Sequence, residues 1–300
     1  MIAFLFAGQG SQEVGMGLDF YNEFPYAKKL YDKYPDIKNL CFLDNNELNE
    51  TKNAQKCMLL TGYIIASILK SKGIEPTFTA GLSLGEYTAL AFSNAWILDD
   101  AISIISKRGE IMQNALPLGT TKMAAVLGLD RDTILLGIKD IDGICEIANY
   151  NCPGQIVITG DNKGVDNAIA KLTSLGAKRC IPLNVSGAFH SSLLENASNE
   201  LYEELIKYEY NKPEYKMVYN ISGKESNNNL NEILRLQIKS SVYFEDSIRY
   251  MINQGVDTFI EIGPKKALSG FVKKINNNVR ILNVSKVDDL NKVVEELKWR

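Results

Sequence analysis

The pentapeptide Gly81-Leu82-Ser83-Leu84-Gly85 constrains the fold of this chain more than any other stretch. It fits the G-x-S-x-G pattern of a nucleophile elbow, in which a serine occupies a sharp turn between a strand and a helix. The flanking residues agree with that pattern, because Thr77–Ala80 predicts a short strand and residues 86–92 predict a helix. The stretch therefore predicts a nucleophilic serine at a strand-to-helix turn.

A second interpretation of the same stretch needs no chemistry. Ser83 and Glu86 have the spacing of a helix capping box, in which the two residues satisfy backbone amides at the start of a helix. Short motifs of this kind often occur by chance. From the pentapeptide alone, a catalytic serine and a plain helix start both stay open.

His190 is the single histidine of the 300-residue chain. A lone histidine excludes every metal site that needs two or more imidazole ligands. If Ser83 depends on an imidazole base, His190 is its one candidate. The five cysteines are scattered without a C-x-x-C pair, which favours reduced thiols over disulfides or a zinc site. The sequence thus predicts no metal.

The charge balance limits the partners that the chain can bind. A net charge of −3 provides no global attraction to nucleic acid or to acidic membranes. No apolar run approaches the length of a membrane span, and the first residues lack the basic leader of a signal peptide. We therefore expect a cytoplasmic protein, and no feature requires more than a monomer.

Arg108 interrupts the apolar stripe of a predicted helix between about residues 99 and 116. The stripe has steps of three and four residues, as an amphipathic helix requires, and its apolar members are Ala101, Ile104, Ile105, Ile111, Met112 and Ala115. A cation on a buried stripe is costly unless it is paired. Arg108 either reaches the surface or a core carboxylate, or it is a fixed cation that awaits an anionic ligand.

The order of predicted elements gives the fold class. Strands and helices alternate before and after a segment that follows the order β-α-β-β-α-β, which is the ferredoxin-like arrangement. We expect a large α/β-hydrolase-like domain with a parallel sheet, formed by residues 1–120 and 190–300. The smaller ferredoxin-like subdomain, residues 121–189, would be inserted into it. Within this insert, Asn149–Gly154 is predicted to be the turn between the two central strands.

Several separated motifs together resemble the malonyl-CoA:acyl carrier protein transacylases and the related acyltransferase domains of fatty-acid and polyketide synthases. The resemblance covers nearly the whole chain. The matching segments are Phe6–Gln12, Gly81–Tyr87, Lys107-Arg108-Gly109, Met112-Gln113, Asn149–Gly160, Gly187–Ser192, Gln237–Phe244 and Glu261–Pro264.

The resemblance implies a serine acyltransferase mechanism. Ser83 would be the nucleophile and His190 its base, and the acyl group would pass through Ser83 in two steps, by ping-pong kinetics. The backbone N–H groups of Gln9 and Leu84 would form the oxyanion hole. No cofactor is implied, since malonyl-CoA is the substrate.

The resemblance also implies how substrate and partner are recognised. Arg108 would hold the free carboxylate of the malonyl group, and the backbone carbonyl of Gln237 would orient the histidine. The partner would be an acyl carrier protein of fatty-acid or polyketide synthesis, a choice that the sequence leaves open. Because such carriers are acidic, local basic clusters are candidate docking sites; these are Lys178-Arg179 and, beside another family motif, Lys265-Lys266.

The chain departs from the family pattern in two places, and two rival functions are also open. Leu82 stands where the family usually has a histidine, and Ser241 and Phe244 replace a usual Pro and Trp, a change that we expect to affect packing only. A serine esterase or thioesterase would share Ser83 and His190 but release its product to water. A catalytically inactive carrier-docking subunit is the second rival, suggested by Leu82 alone.

Overall fold

The central strand of the large sheet is the apolar stretch at the start of the chain. The structure is a computed structural model that describes residues 1–43, 46–185 and 187–297. Five strands form a parallel sheet in the order β7-β2-β1-β8-β9; they are β1 (Ile2–Phe6), β2 (Phe78–Gly81), β7 (Lys216–Met217), β8 (Thr258–Ile262) and β9 (Arg280–Val284). Strand β1 lies in the middle, where helices cover both faces of the sheet, and four of its five side chains are buried.

Helices cover both faces of this sheet, as in other parallel α/β folds. The helices of the large unit are α1 (Leu18–Glu23), α2 (Pro25–Lys33), α3 (Pro35–Phe42), α4 (Thr51–Ser71), α5 (Leu84–Phe92), α6 (Leu98–Asn114), α9 (Glu195–Leu205), α10 (Leu230–Gln237), α11 (Phe244–Asn253), α12 (Ala267–Ile275) and α13 (Val287–Leu297). None of those in the described part of the chain has the length and hydrophobicity needed to cross a membrane.

A second, antiparallel sheet lies between α6 and α9 in the chain. Its order is β4-β5-β3-β6, with strands β3 (Thr121–Leu127), β4 (Cys145–Cys152), β5 (Gln155–Asp161) and β6 (Arg179–Pro182) and helices α7 (Arg131–Ile138) and α8 (Asn162–Ser174). It has its own apolar core. The predicted fold class, a parallel α/β unit with a smaller βαββαβ unit, is confirmed. The boundaries 121–189 stay a prediction, and Ser186 within them lies outside the described residues.

The prediction of a turn over Asn149–Gly154 is wrong for most of that segment. Residues 149–152 continue β4, and only Pro153 and Gly154 connect it to β5. The register between β4 and β5 shifts at two places in this segment, and Asn149 pairs with Val242 of the large unit in a parallel bridge. This tertiary pairing overrides the local preference of asparagine for turns.

Ser241 also departs from its prediction. Its Oγ donates a hydrogen bond of 2.5 Å to the carbonyl of Ile147, beside the backbone bonds that join Val242 to β4. The residue therefore links the small unit to the large one rather than only filling space.

Candidate active site

Ser83 lies on a strained turn between β2 and α5. Its backbone has φ 54° and ψ −106°, a conformation that non-glycine residues rarely adopt. The turn can close because Gly81 and Gly85 have no Cβ. A Cβ at Gly81 would lie 2.1 Å from the carbonyl carbon of Gly85, and one at Gly85 would lie 2.1 Å from the carbonyl oxygen of Phe6. These two approaches explain both glycines of the G-x-S-x-G motif.

The capping-box interpretation of this turn is contradicted. The Ser83 side chain makes no cap hydrogen bond to α5, and the buried Glu86 carboxyl instead accepts the backbone N–H of Asn220 at 2.6 Å. Ser83 Oγ is left to face His190 and Arg108.

His190 bridges Ser83 and Gln237. Its Nε2 lies 2.8 Å from Ser83 Oγ, and its Nδ1 lies 2.9 Å from the Gln237 carbonyl oxygen. A carbonyl can only accept, so Nδ1 carries the proton and Nε2 is free to accept the serine proton. Burial, and secondarily the positive charge of Arg108, lower the pKa of His190 to about 4. The imidazole is therefore neutral near pH 7, as a general base must be.

Arg108 is fully buried and lies against the nucleophile. Its Nη2 donates to Ser83 Oγ at 3.0 Å and to Gln237 Oε1 at 3.0 Å, and its Nη1 donates to Gln55 Oε1 at 2.6 Å. The guanidinium also lies 4.8 Å from the ring centroid of Tyr87. Burial lowers the pKa of Arg108 from its usual value.

Arg108 neither reaches the surface nor pairs with a core carboxylate, the two structural roles considered from the sequence. The side chain does not reach solvent, since its residue exposure is 0%. Among the described residues no carboxylate lies within ion-pair distance of the guanidinium, whose hydrogen-bond acceptors there are neutral oxygens. A buried cation with only neutral acceptors is suited to an anionic ligand.

Gln237 contacts three parts of the site. Its carbonyl accepts from His190, its Oε1 accepts from Arg108, and its Nε2 donates to the Ser83 carbonyl at 2.9 Å. Of these groups, only the carbonyl was predicted from the sequence. Gln55 was not predicted, although a glutamine within the apolar run of α4 was a usable signal.

The backbone N–H groups of Gln9 and Leu84, the predicted oxyanion-hole donors, donate no hydrogen bond within the described residues. The side-chain amide of Gln9 donates to Thr51 Oγ1 at 3.1 Å. Leu84 is the first residue of α5, where backbone N–H groups are unsatisfied and the helix dipole favours negative charge. Two such donors are what a developing oxyanion needs.

A cleft of about 1140 Å³ leads to this cluster. Ser83, His190 and Gln9 line the cleft, as do Leu82 and Phe271, which pack against an apolar cluster. That volume is large enough for an extended ligand.

The predicted docking residues lie in two different places. Lys178 and Arg179 are exposed at the edge strand β6 and do not line the cleft, whereas Lys265 does. Lys265 Nζ donates to the Gly10 carbonyl at 2.8 Å, beside Gln9.

Comparison with known proteins places the chain among acyltransferases. Residues 3–288 match the family described as "Acyl transferase domain". The malonyl CoA-acyl carrier protein transacylase of Bacillus subtilis is 42% identical and aligns over 99% of this chain and 97% of its own length. The crystal structure of the corresponding protein of Clostridium perfringens is 41% identical, with a TM-score of 0.95 over 99% of this chain and 97% of that one.

A further solved structure contains a partner. It is the holo complex of a type II PKS acyl-carrier protein with its malonyl-transacylase. It is 31% identical to this chain, with a TM-score of 0.95, and the match covers 98% of this chain and 99% of that one.

Proposed function

Because this chain belongs to the malonyl-CoA:acyl carrier protein transacylase family of acyltransferases, we propose that it moves a malonyl group from malonyl-CoA to the pantetheine thiol of an acyl carrier protein through an ester on Ser83. One observation carries the mechanism. Ser83 Oγ lies 2.8 Å from a neutral imidazole nitrogen and 3.0 Å from a buried guanidinium. The nucleophile thus has its base on one side and an anion-binding group on the other.

The first half-reaction acylates the serine. Ser83 Oγ attacks the thioester carbonyl carbon while its proton passes to His190 Nε2. The oxyanion that forms takes hydrogen bonds from the amides of Gln9 and Leu84, and one such donor is typically worth about 3–4 kcal/mol. When the intermediate collapses, the carbon–sulfur bond breaks, and CoA leaves as a thiol with the proton from His190.

The second half-reaction repeats these steps with the carrier. The pantetheine thiol gives its proton to His190, its sulfur attacks the malonyl ester, and Ser83 recovers the proton as it leaves. The partner of His190 Nδ1 is a neutral carbonyl, and Arg108 opposes a charged imidazole. A thiol, with a pKa of about 8.5, gives its proton to this imidazole far more readily than water does, with a pKa of about 15.7. This contrast favours transfer over hydrolysis.

Arg108 selects the acyl group in this mechanism. The planar guanidinium suits bidentate binding of a carboxylate, which lysine cannot reproduce. Because Nη2 touches Ser83 Oγ, a carboxylate held there lies next to the attacked carbonyl. An acyl group whose carboxylate and thioester are separated by one carbon, such as malonyl, fits that spacing.

Intact-protein mass spectrometry after mixing with malonyl-CoA tests this function. We expect the mass of one malonyl group to be added, to be absent in Ser83→Ala, and to accumulate orders of magnitude more slowly in His190→Ala. Adding holo carrier protein should discharge the ester and move the mass to the carrier. Discharge to free malonate at the same rate without carrier would instead identify a hydrolase, and an adduct that persists in Ser83→Ala would refute the nucleophile.

A further inference from the structure

Asn220 joins both ends of the elbow turn, although it lies 137 residues from Ser83. Its Oδ1 accepts the backbone N–H of Ser83 at 2.7 Å, and its Nδ2 donates to the carbonyl of Gly81 at 2.7 Å. The residue is 1% exposed. Its side-chain amide is therefore fully committed to the backbone on either side of Leu82.

These two bonds follow the pattern of a parallel β-ladder. In such a ladder, one residue donates to the residue before its partner and accepts from the residue after it. Strand β7 pairs with β2 in this way at Phe78 and Thr79, and the N–H of Val218 still reaches the Thr79 carbonyl. Beyond that point the side chain of Asn220 replaces the missing backbone and continues the pairing past the end of the sheet.

The backbone of Asn220 is itself fixed at both of its polar groups. Its N–H donates to Glu86 Oε2 at 2.6 Å, and its carbonyl accepts the N–H of Tyr243 at 2.8 Å. Burial raises the pKa of Glu86 to about 8, so this carboxyl is protonated at neutral pH and adds no negative charge next to the nucleophile. Asn220 is thus hydrogen-bonded to β2, to α5 and to Tyr243, the residue before α11.

Ser83 needs such support. A residue with its φ and ψ typically costs about 1–3 kcal/mol and persists only where its surroundings fix it. Asn220 binds the Ser83 N–H, and Gln237 Nε2 binds the Ser83 carbonyl at 2.9 Å. Both backbone groups of the nucleophile are therefore bound by side-chain amides, of which only Gln237 also contacts Arg108 and His190.

We propose that Asn220 is a positioning residue, which holds Ser83 in its strained conformation and so aims both Ser83 Oγ at His190 and the N–H of Leu84 at the oxyanion. This role rests on the acyl-transfer function proposed above. Asn220 touches neither substrate nor reacting atoms in that mechanism. It acts on the rate of acylation rather than on the binding of the malonyl carboxylate, which belongs to Arg108.

The test compares Asn220→Ala and Asn220→Asp with Thr79→Val. Thr79 is a suitable control because it is buried two residues before Gly81 on the same strand, and in the described part of the chain its Oγ1 hydrogen-bonds Ser93 and Met217 rather than the elbow. Rates are measured for malonylation of Ser83 and for its sulfonylation by phenylmethylsulfonyl fluoride, which releases fluoride and does not need Arg108. Each rate is referred to the folded fraction measured by circular dichroism.

We expect Asn220→Ala to slow both reactions about 100-fold, the usual cost of misplacing a reacting group by about 1 Å. The KM for malonyl-CoA should change little, and Thr79→Val should react like the parent enzyme. Equal rates in Asn220→Ala and the parent, or an equal loss in Thr79→Val, would overturn the role of Asn220. A parent enzyme that is sulfonylated but never malonylated would refute the proposed function and leave the sulfonylation rates to decide this one.

The aspartate variant adds a pH-dependent readout. Protonated aspartic acid donates one bond and accepts another, as the amide does, whereas ionised aspartate only accepts and would face the Gly81 carbonyl. The acylation rate of Asn220→Asp, relative to the parent, should therefore rise as the pH falls from 9 to 5. The titratable and charged neighbours Glu86, Tyr219, His190 and Arg108 are common to both proteins. Because Glu86 binds the backbone N–H of residue 220 and has a pKa of about 8, both rates are measured in the Glu86→Gln background. A ratio that does not change with pH would contradict the role of the two hydrogen bonds from Asn220 to Gly81 and Ser83. If Asn220→Ala does not fold, Asn220→Asp still tests that role.

Discussion

Arg108 already donates a hydrogen bond to the serine that it is proposed to serve. Its Nη2 is shared between Ser83 Oγ and Gln237 Oε1, whereas Nη1 is bound by Gln55. A carboxylate that reaches Nη2 forms charge-assisted bonds, which are roughly twice as strong as those to neutral acceptors. Substrate binding would therefore exchange weak partners for a strong one, and Gln55 would keep the guanidinium in place during that exchange.

The first prediction concerns this exchange. Arg108→Ala should lower malonyl transfer by roughly 30-fold to several thousand-fold, because losing a buried charged partner typically costs about 2–5 kcal/mol. Transfer of an acetyl group should be spared or improved, since the pocket then holds no unpaired cation. The measurement is the ratio of kcat/KM for malonyl-CoA to that for acetyl-CoA.

Arg108→Lys is the matched control for this prediction. It keeps the charge but loses the bidentate geometry, so its ratio should fall between those of the parent and Arg108→Ala. A ratio that stays the same in both variants would mean that Arg108 is structural.

The second prediction concerns the acid limit of acylation. The neutral imidazole is the active form, and the pKa of His190 is lowered to about 4 by burial and by Arg108. The kcat/KM for acylation should therefore stay level from neutral pH down to about 5 and fall only as the pH drops through about 4. Because Arg108 contributes to this lowering, Arg108→Ala should move the limit to higher pH. A limit near the ordinary histidine value of about 6.5 would contradict the buried, cation-facing imidazole.

At the scale of elements, the elbow depends on how closely α5 approaches β1. A Cβ on Gly85 would meet the backbone carbonyl of Phe6 at 2.1 Å, and a backbone atom cannot move aside as a side chain can. The helix start and the strand end would have to separate. That separation would displace both Ser83 and Leu84.

The third prediction follows from this contact. Gly85→Ala should destabilise the protein by at least about 1–3 kcal/mol, the usual cost of overpacking, and should abolish acylation of the folded fraction. Gly270→Ala is the matched control, because Gly270 lies in α12 with nothing within 4 Å of an added Cβ. That change should be neutral or stabilising by up to about 1 kcal/mol. Chemical denaturation measures both, and equal stability of the two variants would contradict the close approach.

The elements that sequence predicted well are those with strong local patterns. The strand before Ser83, the stripe around Arg108 and the βαββαβ order all follow from periodicity and turn residues. The segment Asn149–Cys152 was mistaken because its strand depends on pairing with Val242, which lies far along the chain. Asn220 and Gln55 were missed for a related reason: a lone amide gains its role only from distant partners that the fold brings to it.

At the scale of the molecule, contacts with the large unit fix the small unit beside the base. Ser192, two residues after His190, donates its N–H to Glu146 of β4 at 3.0 Å. Arg131 pairs with Asp246 at 2.6 Å, and Ser241 bonds the carbonyl of Ile147. These contacts hold the insert against α11 and the segment that carries His190. The cleft between the two units therefore has defined walls, and its mouth is where the proposed carrier would approach.

The last prediction addresses that approach. The proposed carrier is expected to be acidic, and this chain has a net charge of −3, so attraction would have to come from a local basic patch. Lys178 and Arg179 form an exposed pair at the start of β6, outside the cleft. Reversing both to glutamate should raise the KM for carrier at low salt and leave loading from malonyl-CoA unchanged, because charges at the rim of an interface act mainly on association.

Two comparisons make this prediction decisive. Lys28 and Lys29 are exposed on α2 and do not line the cleft, so reversing them gives the same change in net charge without touching the proposed patch. Lys265 lines the cleft itself, so Lys265→Glu should weaken the binding of both malonyl-CoA and the carrier, because both have a phosphorylated pantetheine arm. If the Lys178–Arg179 reversal gives the same KM for carrier as the Lys28–Lys29 reversal, β6 is not the docking surface. Added salt should reduce every one of these differences, since the interactions are solvent-exposed and screened within about 10 Å at 0.1 M.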